Sequence, residues 1–102
     1  MMPGVNPTTG GYAKRGVQVI DQFRCGACHT IAGIDDAEGV FGPPLITFAR
    51  QSYIAGEFAN SPENLVHWIM SPQSLKPATA MPNLGISEQQ ARDVAAYLYT
   101  LR

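Results

Sequence analysis

The sequence predicts an all-α fold of three main helices joined by short helical turns and loops. Three observations predict it. Ala13, Gly16, Val17 and Ile20 recur at the i, i+3, i+4, i+7 spacing of a helix face, and Ala91, Val94, Ala95, Leu98 and Leu101 form a second such stripe. Ser61-Pro62 reads as a helix start, and no segment alternates convincingly enough to be a strand.

In chain order, residues 1–11 carry Pro3, Gly4, Pro7, Gly10 and Gly11 and read as a flexible lead-in, with a single domain expected over 12–102. Only Gly16 interrupts the run from Tyr12 to Arg24, which is expected to be the first helix. Gly33, Gly39, Gly42, Pro43, Pro44 and three acids make 31–45 a surface loop, and a short helical turn is expected at 46–50. Leu65, Trp68 and Ile69 give the second helix one apolar face, and Pro72 should stop it. Pro77 and Pro82 favour an extended, wrapping course over 73–85. Ser87-Glu88-Gln89-Gln90 has the form of a capping box that opens the last helix.

At 102 residues the chain has room for one core, and its 10 glycines and 8 prolines leave few long stretches for helix. A large flat prosthetic group could therefore supply part of the interior, as small domains often require. The 7 basic and 8 acidic side chains nearly balance, without the clustered basic face of a nucleic-acid binder. No run of about 18 apolar residues occurs, so the chain is expected to be soluble.

Cys25-Gly26-Ala27-Cys28-His29 carries the chemistry. On a helical turn all three reactive side chains can project from one face. Two thiols so placed can add to the two vinyl groups on a haem edge while the adjacent imidazole reaches the iron, and C-x-x-C-H is the attachment signature of c-type haem. A thioredoxin-like dithiol would need a βαβ setting that is missing here. A zinc site would need a fourth ligand, and His67, the only other histidine, lies in an unrelated segment. A Cys25–Cys28 disulfide would close too small a loop to matter much for stability.

Iron that shuttles electrons without binding gases needs a sixth ligand, for which Met1, Met2, Met70, Met81 and His67 are the candidates. Met81 is the best of them, because the proline-stiffened segment from Lys76 to Pro82 can lie across the far haem face with little ordering cost. Thioether ligation opposite histidine raises the reduction potential and closes the iron. Met70 and His67 remain substitutes if Met81 lets go, although both read first as packing or surface residues of the second helix. Two haem propionates would make the loaded protein somewhat more acidic.

Taken together, the Gly16 helix, C-x-x-C-H, Gly42-Pro43-Pro44-Leu45, the Leu65/Trp68 helix, Met81-Pro82 and the Ala96-Tyr97-Leu98 helix resemble the class I cytochrome c family in order and spacing. The resemblance implies that family's fold, its helices wrapped around one covalent haem c. It implies that the Pro43 carbonyl accepts the His29 N–H, a bond that fixes the imidazole. It further implies that Arg50 and Tyr53 bond a haem propionate, that Trp68 packs on the ring, and that Gly16 lets the first helix approach the last near Tyr97.

From Gly42 to Leu101 the sequence is most similar to the cytochrome c domain fused to subunit II of caa3-type terminal oxidases. That implies single-electron transfer in a respiratory chain, from a bc1-type complex or soluble cytochrome to an oxidase copper centre. The implied location is the periplasm or the outer face of the cytoplasmic membrane, where c-type haem is attached. Residues 1–11 lack the apolar region of a secretory signal, which suggests a mature form or an excised domain of a membrane-anchored subunit, monomeric in isolation. The competing readings are a free periplasmic carrier serving another partner, a five-coordinate gas-binding or peroxidatic haem protein, and an assembly domain within a larger complex.

Overall fold

The computed structural model describes residues 4–27, 29–40, 42 and 44–102. Among these residues four α-helices follow one another: α1 (Ala13–Gln22), α2 (Pro62–Met70), α3 (Pro72–Leu75) and α4 (Glu88–Leu98), with 3-10 turns at Cys25–Ala27 and Phe48–Arg50. A hairpin of β1 (Tyr53–Ile54) and β2 (Phe58–Ala59) precedes α2, with Tyr53 opposite Ala59 and Ile54 opposite Phe58. None of the described helices is long and apolar enough to cross a membrane.

The expected helix starts are present. Ser61 Oγ accepts the Asn64 N–H at 3.2 Å and Pro62 takes the first helical position of α2. At α4, Ser87 Oγ accepts from the Gln90 N–H (3.2 Å) while the Gln90 side chain accepts from the Ser87 N–H (3.0 Å), a reciprocal cap. Three details differ from expectation. α1 stops at Gln22, and Arg24 then takes a φ of +57° that a helix cannot continue. Pro72 ends α2 but also opens α3, because a proline lacking its N–H suits the first position of a new turn. The hairpin was not foreseen, since two-residue strands are too short to show a period.

α1 and α4 pack against each other, and Gly16 sets how closely. A Cβ at Gly16 would overlap the Asp93 carbonyl and come within 3.1 Å of Tyr97 Cβ. Asp93 itself is buried, at 4% exposed, although the apolar stripe of α4 gave no sign of it. Its carboxylate accepts the Tyr12 N–H (2.9 Å) and the Gln89 amide (3.0 Å) and pairs with Arg15 (3.1 Å), so the buried charge is fully partnered.

Residues 4–11 are tied down more than their composition suggests. Asn6 Oδ1 accepts from the Thr8 and Thr9 N–H groups, Val5 bridges to Tyr12, and Thr9 is fully buried. From α4, Arg92 donates to the Thr9 carbonyl (2.8 Å) and Gln89 to that of Gly10 (3.2 Å). Proline and glycine here shape a closed turn and do not loosen it.

At the far end of α4, Tyr99 stacks on Phe48 with ring centroids 5.8 Å apart and donates its hydroxyl to Asn60 Oδ1 at 2.7 Å. Burial pushes the Tyr99 phenol up to about 12 from 10.0. The native state thus holds this proton more tightly than the unfolded chain. Its contribution to stability is complete below pH 10 and drains away as pH rises toward about 12. Denaturant midpoints measured at about pH 9 and about pH 11 should differ, and Tyr99→Phe should narrow that difference.

Candidate functional site

The core does not close on itself. Ile20, Ile54, Leu65, Ile69, Val94 and Leu98, contributed by α1, β1, α2 and α4, surround a cavity of about 420 Å³. Protein interiors hold few voids larger than a water molecule, and this volume falls in the range of sites for cofactors. Cys25, His29, Trp68 and Met81 all line it.

Each arrives by a different local device. The 3-10 turn Cys25–Ala27 follows α1 directly and puts Cys25 at the cavity, with the His29 N–H closing back on the Cys25 carbonyl at 3.0 Å. A parallel bridge between Ile31 and Leu45, with the Leu45 N–H donating to the Thr30 carbonyl (2.6 Å), brings Gly42 beside His29. A Cβ at Gly42 would overlap the imidazole ring, so only glycine leaves room for His29 in this orientation. Trp68 comes from α2 and lies 6.1 Å from the Phe58 ring of the hairpin. Met81 sits in the 76–87 loop, where its N–H donates to Thr79 Oγ1 at 3.2 Å.

The other candidates are placed as follows. Cys28 and Pro43 lie outside the described residues, as do Met1 and Met2. His67 is exposed and Met70 half-buried, and neither lines the cavity, so Met81 is the one methionine that does so among the described residues.

Arg50 and Tyr53 do not reach it either. The Phe48–Arg50 turn buries Phe48 in the cavity wall, which sends Arg50, two residues on, to an outer cleft with Asn60, Tyr99 and Arg102. Strand alternation does the same at β1: Ile54 points in and Tyr53 is 61% exposed. Besides His29, the polar side chains at the cavity are Gln51, Lys76, Thr79 and Arg24, to none of which the sequence assigns a role at the site. Lys76 stood in plain view in the segment that bears Met81, but its partner in the hairpin turn could not be foreseen.

The imidazole and the thioether at this apolar cavity are donors suited to haem iron and not to a hard, oxygen-seeking cation, and the thiol beside them can bond a haem vinyl group. The residues therefore fit a haem, and the fold and site together define a small helical haem domain.

The comparisons with known proteins agree. Residues 13–102 match the family model of cytochrome c. The chain belongs to the cytochrome c family. Among curated proteins it is 36% identical over 103 residues to cytochrome c oxidase subunit 2 of Alkalihalophilus pseudofirmus, covering 100% of this chain and 29% of that relative. It is 33% identical over 85 residues to cytochrome c oxidase subunit 2 of Bacillus subtilis, covering 78% of this chain and 24% of that one. The chain thus spans under a third of the length of the relatives it matches. A solved structure of SoxXA from P. pantotrophus shares the fold, with a TM-score of 0.62 at 22% identity over 98% of this chain and 91% of that one. This is a cytochrome c domain that binds haem c covalently and transfers electrons.

Proposed function

We propose that the chain carries one haem c, attached through Cys25 and Cys28 with the iron between His29 and Met81, and passes single electrons to the copper centre of a caa3-type terminal oxidase. The observation that carries this reading is the convergence of Cys25, His29 and Met81 on one apolar cavity. The relatives named cytochrome c oxidase subunit 2 support the destination. When bound, the haem supplies a one-electron ferric/ferrous couple.

The chain's own residues set the conditions for that couple. Gly42 gives the imidazole its place, and Pro43 would accept its N–H and make it more electron-donating. With haem bound, Met81 would close the iron to gases, and the wall of Ile, Leu and Val side chains would keep water away and favour the less charged ferrous form. Trp68, which lines the cavity, would pack beside the ring. The electron donor would be a bc1-type complex or a soluble cytochrome, on the outer side of the cytoplasmic membrane.

Docking should be weak and mainly apolar, because Ala27, Ala80, Pro82 and Leu84 are exposed, and the last three of these line the cavity. Oxidation of the reduced protein by the copper-binding domain of an oxidase subunit 2, followed by stopped flow, tests both destination and contact. A second-order rate that changes by no more than about twofold between low and physiological salt is expected. A steep salt dependence would point to charge-steered docking, and no reaction at all would remove the oxidase copper centre as the acceptor.

A further inference from the structure

The loop that carries Met81 is held by side chains. Among the described residues, 80–86 take part in no backbone–backbone hydrogen bond. Three side-chain bonds serve instead: Met81 N–H to Thr79 Oγ1 (3.2 Å), Gln73 N–H to Asn83 Oδ1 (3.2 Å) and Lys76 Nζ to the Ala55 carbonyl (3.1 Å). The first joins two residues of the loop itself, and the second ties Asn83 back to α3, the loop's immediate neighbour in the chain. The third, alone of these, ties the loop to a sequence-distant part of the fold, the turn between β1 and β2.

That turn is a firm anchor. Ala55 and Gly56 both have positive φ, +53° and +73°, and the Glu57 N–H closes on the Ile54 carbonyl at 3.1 Å. Two successive positive-φ residues make the tight reversal that suits a two-stranded hairpin. An alanine pays a steric cost to sit there, so its conformation, and the direction of its carbonyl, is imposed by the surroundings. Ala55 and Lys76 both line the cavity.

We infer that Lys76 is a positioning residue, whose ammonium latches the Met81 loop to the Ala55 carbonyl and so holds the thioether at the cavity. The inference rests on the reading of Met81 as iron ligand. The bond to the carbonyl matters more than the charge pair with Glu57, which spans 3.9 Å between side chains 37% and 54% exposed. A charge-assisted hydrogen bond at 3.1 Å is the stronger contact.

Competition by exogenous imidazole for the ferric iron, titrated on the holoproteins, tests the latch. In Lys76→Met the stem remains and the latch is lost, and apparent imidazole affinity should rise about tenfold, equivalent to ~1.4 kcal/mol. Lys76→Arg should restore most of the wild-type resistance, and Glu57→Gln should behave as wild type. Amide exchange at Thr79 and Met81, read by mass spectrometry, should speed up in Lys76→Met alone.

Met81→Ala is the reference that separates the two levels of the argument. If Met81→Ala opens the iron to imidazole while Lys76→Met matches wild type, the latch is wrong and the ligand stands. If Met81→Ala itself matches wild type, Met81 is not the ligand and the latch falls with it. An effect of Glu57→Gln as large as that of Lys76→Met would make the charge pair, not the carbonyl bond, the active contact, and would overturn the inference as stated.

Discussion

Met81→Ala should leave the haem attached and change almost everything about how it behaves. In the proposed attachment the thioether linkages would depend on Cys25 and Cys28, so the holoprotein should still form with covalent haem. The ferric spectrum should lose its sulfur-to-iron band, and the ferrous form should bind carbon monoxide readily. The reduction potential should fall by ~0.1 V or more, a fair part of the roughly 0.8 V that axial ligation spans. Neither His67 nor Met70 lines the cavity, so no neighbouring side chain on α2 stands ready to take the place of Met81. Optical titration against redox mediators measures both effects on one sample. A variant with an unaltered band would exclude Met81 as the ligand and would favour a five-coordinate or differently ligated haem.

Gly16→Val should produce the largest loss of stability of any single change to the helices. The new side chain would be driven into the Asp93 carbonyl and against Tyr97, where backbone meets backbone and cannot yield by rotating a side chain. Overpacking at such a point is expected to cost about 3 kcal/mol, at the upper end of the usual range. For a domain of this size that lowers Tm by roughly 12–24 °C, measurable by circular dichroism on the holoprotein. Gly16→Ala should fall between, and a variant as stable as wild type would show that α1 and α4 can separate without penalty.

The parts of the fold that follow a period or a cap were legible in the sequence. α2 and α4 begin where Ser61 and Ser87 announce them, because a hydroxyl that caps an N–H acts within one turn and leaves a local mark. That Cys25, His29 and Met81 line one cavity agrees with the sequence for a chemical reason: few residue types suit haem iron, and the C-x-x-C-H spacing has few other uses.

What could not be read depends on contacts between distant segments. Asp93 lies on α4 among apolar positions, and only its pairing with Arg15 and Tyr12, 78 and 81 residues away, explains a buried carboxylate there. Lys76 opens the Met81 segment, and its bond to the Ala55 carbonyl, 21 residues away, leaves no local mark in the sequence. The outward placement of Arg50 and Tyr53 was hidden for a finer reason. Each sits close to a residue that walls the cavity, Phe48 two positions before and Ile54 one after, and a step of one or two residues in a short turn or strand reverses the direction of a side chain.

The grip of Arg92 and Gln89 on the Thr9 and Gly10 carbonyls has a mechanical consequence. If another module precedes this domain in a longer chain, residues 4–11 belong to the folded domain and not to the tether. Those eight residues, 4 to 11, would have given a flexible leash roughly 15 Å of additional root-mean-square reach. Held against α4, they keep the domain on a short lead, which narrows the volume it can search and raises its local concentration at a partner within that radius.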